Sequence, residues 1–419
     1  MSSGPDENYF PAAEADTGWR RAAPRELGLD AALLADAISF HDEHEAATAQ
    51  NGGALIVVYQ GHVVAETYVT GRVAGPQPWT PETCNDIKSA TKSVFGTAAG
   101  LWLDEYRERV DLDTPLVGSD RSSSLIPQIW DQPLTDGRKS AISVRHALSM
   151  TSGHDTREPW LAPSERHHFT GYDGVLQMHE YCFGWWHFDG VPDQHTLLFE
   201  PGTDFNYSNY GLELVALAMR NISAEEIGPY LHSRVLSKMG LATDLGANNY
   251  LHMPYNDDNE WNFSNEAGWG RGGSAGCNAY GADGNPSPYG YNNVVGSTFR
   301  CSARDFARLG YLWLRSGRWG EQQLVPAEWL DLATSRHRRD DGTQPENYGY
   351  TFWIQDEWEG VPADTFMARG HNLNDCYVVP SLDLVVARQG NANPDRTTAE
   401  RFSHELIRRI VSAVPTHWD

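Results

Sequence analysis

The chain has 419 residues, 40% of them apolar, and a formal charge of −24. That length accommodates two domains with sizeable cores, and so acidic a balance argues against a nucleic-acid partner, which requires basic patches. No stretch approaches the roughly 18 apolar residues of a membrane span, and the polar, acidic start Met1-Ser2-Ser3-Gly4-Pro5-Asp6-Glu7-Asn8 has neither the basic nor the apolar region of a signal peptide, so the expected setting is cytoplasmic, with no membrane partner.

In chain order, Gly28-Leu29-Asp30 opens an amphipathic helix predicted over Asp30 to Glu45. His41 and His44 lie i, i+3 on its polar face, but no H-E-x-x-H is present, and the pair His167-His168 has no partner at ligand spacing; no metal is expected. Ala54 to Tyr59 and Val63 to Tyr68, joined by Gln60-Gly61-His62, read as a β-hairpin. A helix follows over Ser89 to Glu105, opening with Ile87-Lys88-Ser89-Ala90-Thr91-Lys92-Ser93-Val94-Phe95-Gly96. Only four lysines occur against 28 arginines, and Lys92 stands three residues after Ser89. Positions i and i+3 share a helix face, and an amine held against a hydroxyl in a desolvated site can act as the base that activates it. Alone, this spacing is more often that of a solvated lysine on a helix surface.

From Asp113 to about Asn293 helices alternate with long polar and aromatic loops. Pro201 and Gly202 mark the loop entering Phe205-Asn206-Tyr207-Ser208-Asn209-Tyr210-Gly211, ahead of an apolar helix over Leu212 to Met219. A phenol and a carboxamide at i and i+2 of a turn, Tyr207 and Asn209, can enter one cavity, the first to relay a proton and the second to order the lysine or a substrate. Two stretches are unusually aromatic, His167 to His187 and Asn248 to Asn293. Loops of that length in a compact domain are usually functional, so Trp186 and Trp269 are expected to line the substrate pocket, with one of these loops as its roof.

Tyr348 to Gln355, Thr365 to Ala368, Cys376 to Val379 and Leu384 to Arg388 read as strands, and Thr397 to Val411 as a closing helix. In Ala368-Arg369-Gly370-His371-Asn372 the glycine lets a strand backbone approach a ligand closely, leaving an N–H to bind an oxyanion. Strands at both ends predict one α/β domain from residues 1–96 plus 294–419, a helical region inserted over 97–293, and a site in the crevice. Five scattered cysteines with no C-x-x-C read as thiols, a Cys277–Cys301 bridge remaining open. No Walker sequence, no G-x-G-x-x-G after a strand and no G-x-S-x-G elbow appears, so no cofactor is expected.

The S-x-x-K at Ser89–Lys92, the Y-x-N at Tyr207–Asn209 and the run Ala368-Arg369-Gly370 come in an order that resembles the serine β-lactamase and penicillin-binding-protein superfamily. The class C-like branch of esterases, nylon-oligomer hydrolases and acyltransferases is the nearest in look. Further segments carry the likeness: Ile142-Ser143-Val144-Arg145-His146-Ala147-Leu148-Ser149-Met150-Thr151-Ser152-Gly153 is similar to the family's "ITVRHLLTHTSG", Glu200-Pro201-Gly202-Thr203 to its "PGT", and Ser302 to Gly310 to its "S..DLARFG" helix. The resemblance implies an antiparallel sheet of about five strands sandwiched by helices. It also implies Ser89 as nucleophile, Lys92 as base, Tyr207 as proton relay, and an oxyanion hole from the backbone N–H groups of Ser89 and His371, with Asn209, Arg369, Gly370 and Asn372 about the substrate. The family's third motif is usually Lys-Thr-Gly or His-x-Gly; here it would be Ala368-Arg369-Gly370, which lacks that lysine or histidine and leaves open whether Arg369 replaces its charge. That departure favours an esterase or amidase over a β-lactamase. The expected partner is a small ester or amide, with transfer to an amine or alcohol in natural-product metabolism, or a non-catalytic acyl-binding sensor, as alternatives.

Overall fold

The computed structural model describes residues 9–12, 18–48, 52–70, 79–127, 130, 134, 136–154, 196–225, 227–241, 299–390 and 396–415. Trp186, Trp269 and Cys277 lie outside the described residues, as do nearly all of both aromatic loops. The elements in chain order begin with α1 (Ala31–Thr48), the strands β1 (Gly52–Tyr59), β2 (His62–Thr70) and β3 (Cys84–Asp86), then α2 (Thr91–Glu105) and α3 (Val144–Leu148). There follow α4 (Asn209–Ser223), α5 (Ile227–Leu231), β4 (Arg300–Ser302), α6 (Ala303–Leu314), β5 (Arg318–Trp319), β6 (Gln322–Gln323) and α7 (Ala327–Ala333). The chain ends with β7 (Trp353–Ile354), β8 (Phe366–Gly370), β9 (Asn374–Val379), β10 (Leu384–Gly390) and α8 (Arg396–Ser412).

The expected hairpin forms because Gln60 and Gly61 both take positive φ, 49° and 70°, the twist of a two-residue turn that matches the strands. Six strands make the main sheet, in the order β2-β1-β10-β9-β8-β7, every neighbouring pair antiparallel. The sheet thus has one strand more than the five expected. The strand expected over Tyr348 to Gln355 shrinks to Trp353–Ile354, because Thr351 turns into the left-handed region at φ 70° and breaks the extended run.

Alternating side chains divide two cores. Ala54, Ile56 and Val58 of β1, Phe366 and Ala368 of β8, and Val385 and Ala387 of β10 belong to one; Leu55, Val57, Tyr59, Met367, Leu384 and Val386 belong to the other. α1 and α8 cover the second face. The stripe that α1 buries is Leu34, Ala37, His41 and Glu45, a spacing that keeps one helical face but makes half of it polar. α6 covers the first face. Its Gly310 is required by that contact: a Cβ there would lie 2.5 Å from Cys376 Sγ and 2.6 Å from Val385. This first core continues through Val94, Phe95, Ala98 and Trp102 of α2 into Leu212 and Val215 of α4 and Leu231 of α5. Two glycines of α2 admit its neighbours, since a Cβ on Gly96 would sit 1.9 Å from Thr351 Oγ1 and one on Gly100 2.0 Å from the Trp329 ring. Cys84, Cys301 and Cys376 are free thiols.

Candidate active site

Ser89 lies at the middle of a 3-10 turn, Lys88–Ala90, immediately before α2, rather than inside the α-helix as the spacing suggested. Two pairings hold the approach to it: β3 joins β4 with Asn85 opposite Cys301, and Ile87 N donates to Phe299 O at 3.0 Å. Lys88 then adopts φ 55°, a left-handed conformation that costs a non-glycine residue energy and is commonly kept at functional sites. One turn on, Lys92 is 1% exposed and its Nζ donates to Ser89 Oγ at 3.0 Å. The i, i+3 relation therefore survives the change of helix type. Ser93 is occupied elsewhere, donating to Thr351 O at 2.6 Å.

Tyr207 comes to the same place from the helical region. Lys92 Nζ lies 4.8 Å from its ring centroid. The loop that carries it is tied down by Ile142 to Gly153, the long segment that drew attention in the sequence. Ser143 caps α3 by accepting from His146 N; Met150 then turns to φ 64°, and its carbonyl accepts from Asn206 N at 2.9 Å while Thr151 O accepts from Gly202 N at 2.8 Å. Asn206 Nδ2 also donates to the carbonyl of His154, a buried residue whose Nδ1 is 3.0 Å from Ser152 Oγ. Burial, aided by the charge of Lys139, pushes the His154 pKa down to about 3. Asn209 is the first residue of α4, so the Y-x-N straddles a loop–helix junction instead of lying in one turn.

The third motif closes the site from β8. A Cβ on Gly370 would fall 2.0 Å from Ile87 O; the glycine serves an approach to the backbone ahead of Ser89, where the sequence suggested approach to a ligand. β8 and the turn His371–Leu373 pack against the Lys88–Ala90 turn, which brings the main chain at His371 beside that at Ser89. The His371 side chain is exposed and Asn372 is half-buried. Arg369 is placed differently. It pairs with Asp375 on the face of Met367 and Tyr377, where Asp375 accepts from Tyr377 and from Ser403 of α8. Burial and Asp375 push the Tyr377 phenol up while Arg369 acts against them. Arg369 thus belongs to the α1/α8 face, away from the contact between Gly370 and Ile87.

An aromatic wall that sequence reading missed backs the site. Trp353 stacks on Tyr207 at 5.8 Å, Tyr348 meets Tyr207 edge-on at 6.2 Å and Trp353 at 4.9 Å, and Phe205 lies 5.6 Å from Tyr348. Tyr348 is fully buried, and burial together with Tyr207 raises its pKa well above the ordinary value, so it stays neutral. The signal was present as the aromatic run Tyr348-Gly349-Tyr350-Thr351-Phe352-Trp353, read as a plain strand. Among the described residues no group of three or more potential ligands could hold a metal, and no helix is long and apolar enough to cross a membrane.

Fold and geometry together define an antiparallel sheet with helices on both faces, in which a serine on a 3-10 turn and a lysine on the helix that follows lie against the end of an antiparallel strand. The Beta-lactamase family model matches residues 40–406, and the chain belongs to that family. Solved structures agree in fold. A penicillin-binding-protein homologue from Caulobacter crescentus is 16% identical with a TM-score of 0.61, over 91% of this chain and 98% of that one. A protein from Bacillus anthracis assigned as a 6-aminohexanoate-dimer hydrolase is 17% identical with a TM-score of 0.57, over 98% and 90%. EstCE1, described as a hydrolase with promiscuous acyltransferase activity, is 17% identical with a TM-score of 0.57, over 91% and 98%. No curated protein sequence matches this chain.

Proposed function

We propose that the protein is a serine hydrolase that cleaves a neutral ester or amide through an acyl-Ser89 intermediate. The observation that carries this reading is the buried Lys92 amine within 3.0 Å of Ser89 Oγ and over the face of Tyr207. Ser89 Oγ attacks the carbonyl carbon while the Lys92 amine takes the hydroxyl proton. The backbone N–H groups of Ser89 and His371 hold the oxyanion of the tetrahedral intermediate. Tyr207 passes a proton to the departing alkoxide or amine, and the intermediate collapses as the C–O or C–N bond breaks. Water, deprotonated by the same groups, then releases the acid and regenerates Ser89.

Neutral substrates fit because the position that would hold a carboxylate is Ala368, Arg369 lies on the other face of the sheet, and the wall of Tyr207, Trp353 and Phe205 offers apolar rings. A −24 formal charge also disfavours the approach of anions. The relatives named for amide hydrolysis and for acyl transfer carry the same fold, and transfer to an amine or alcohol acceptor differs from hydrolysis only in the second step.

The test is incubation with a fluorophosphonate probe, short p-nitrophenyl esters, an amide and nitrocefin, each with and without amine acceptors, with products read by mass spectrometry. Wild-type protein is expected to label at Ser89 and to turn over neutral esters much faster than nitrocefin or benzylpenicillin, and Ser89→Ala is expected to lose labelling and turnover while keeping its circular dichroism. Turnover in Ser89→Ala removes the assignment. Labelling at Ser89 with no turnover of any substrate makes the protein an acyl-binding sensor instead.

A further inference from the structure

We propose that Arg388, neutralised by Glu45, is a positioning residue that holds the oxyanion-binding turn in register with Ser89. The inference rests on the reading of His371 N–H as an oxyanion donor. Asn372 and Leu373, which follow His371, have φ of 63° and 62°. Two successive non-glycine residues in the left-handed region are costly, and such a turn persists only where its surroundings hold it. Arg388, fully buried on β10, supplies that hold: its Nη1 donates to Asn372 O at 3.0 Å and to the carbonyl of Leu373. Its Nη2 donates to Glu45 of α1, also fully buried. Burial alone would raise the Glu45 carboxyl, but Arg388 and the neighbouring histidines His44 and His41 hold it at about 2.

The sequence keeps room for this pair. A Cβ on Gly53 would lie 2.5 Å, and one on Gly390 2.7 Å, from Glu45 Oε2. Asn374 completes the hold, its Nδ2 donating to His371 O at 2.8 Å and to Gly390 O at 3.1 Å. Asn374 Oδ1 in turn accepts from Asn85 Nδ2 at 2.9 Å, on the strand that leads to Ser89. The back-face ion pair and this amide bridge therefore join the two halves of the proposed oxyanion hole. A planar guanidinium that is always charged can serve two carbonyls and a carboxylate at once, which a lysine amine cannot do with the same geometry.

The experiment compares wild-type enzyme, Arg388→Lys, and the double variant Glu45→Gln with Arg388→Met, which leaves no unpaired buried charge. Each is assayed on an ester and on the matching thionoester, beside a thermal melt and fluorophosphonate labelling. A sulfur anion fits an oxygen-sized hole poorly, so the oxo-to-thiono rate ratio reports the hole itself. Displacement of the turn by about 1 Å is expected to lower kcat on the order of 10²-fold with little change in KM, and to collapse the oxo-to-thiono preference toward one. Arg388→Lys, which keeps a cation against Glu45, is expected to fold and to show the same change in smaller degree; it decides the question if the double variant does not fold. Unchanged kcat and unchanged oxo-to-thiono ratio, with only the melting temperature lowered, overturns the proposal. Absence of Ser89 labelling in wild type overturns the proposed function instead, which separates the two failures.

Discussion

On the α1/α8 face of the sheet, Arg388 is enclosed by the Glu45 carboxylate and the carbonyls of Asn372 and Leu373. In the core on the opposite face, Lys92 is as thoroughly buried, but it is set against the Ser89 hydroxyl and the face of the Tyr207 ring. The two cations differ in what they can do. A guanidinium keeps its proton at any working pH, so Arg388 can only hold a shape, and the partners of its two terminal nitrogens are acceptors. An amine can give its proton up, and its partners at the site are the groups between which a proton would have to travel. In the proposed mechanism one face of the sheet fixes geometry and the other uses it, and Gly370, packed on Ile87 O, is where they meet.

Making Lys92 resemble Arg388 is the most direct way to break that contrast. Lys92→Arg retains the charge and removes the ability to accept the Ser89 proton, so acylation is expected to fall by at least about 10⁴-fold, the scale seen when one member of a catalytic unit is lost. Stopped-flow measurement of fluorophosphonate labelling checks it. Near-normal labelling would mean that the amine, like Arg388, only balances charge. Tyr207→Phe keeps the stack on Trp353 and deletes the phenol hydroxyl. Its expected cost is smaller, about 10²–10⁴-fold in kcat as for a general acid–base group, and largest for esters with poor leaving groups. Equal losses across good and poor leaving groups would deny Tyr207 a role in protonating them.

That Ser89 and Lys92 meet was legible because a short spacing survives local detail, and that Tyr207 joins them followed from the family resemblance. The 3-10 turn at Lys88–Ala90 was not anticipated, yet i and i+3 still meet. The strands of the hairpin and of β8 to β10 were readable from runs of β-branched and aromatic residues. Glu45 was not: it sits four residues after His41 on what reads as a polar helix face, and only its pairing with Arg388, 343 positions away, makes burial tolerable. Distance in sequence from Tyr207 also hid the wall of Tyr348 and Trp353. A left-handed Thr351 turned an apparent strand so that its rings reach Tyr207, while Trp186 and Trp269, chosen for lying in long loops, fall outside the described residues.

That wall sharpens the comparison at a finer level. Trp353 is half-exposed beside Tyr207 and has no role in moving protons. Trp353→Ala is therefore expected to raise KM for aryl esters by about tenfold, the worth of one aromatic contact, and to change kcat little. A loss confined to kcat would show instead that Trp353 orients Tyr207 and contributes nothing to binding.

The smallest expected effect concerns acid. His154 and His337 are both buried, and burial first of all, then nearby positive charge, lowers their pKa to about 3 and about 4. An unfolded chain takes up a proton on each near pH 6.5, while the folded one does not until the lower value is reached. Below about pH 6.5 the unfolded state therefore binds more protons, and stability falls as pH falls, by roughly 1.4 kcal/mol per pH unit for each histidine. The decline should stop near pH 4 for His337 and continue toward pH 3 for His154. Glu45, with its carboxyl held at about 2, has the depressed pKa of a paired carboxylate, so its contribution is complete above about pH 4.5 and is lost only as pH drops toward 2. Melting temperature followed from pH 7 to 2 is therefore expected to fall in two overlapping stages, first from the buried histidines, His41 of α1 among them, and then from the paired carboxylates, of which Glu45, Asp136 and Glu405 are held at about 2. His154→Gln should flatten part of the slope between pH 6.5 and 4 and leave the late decline in place. A slope unchanged by that substitution would mean that His154 is protonated inside the fold, beneath the very loop that its carbonyl holds through Asn206.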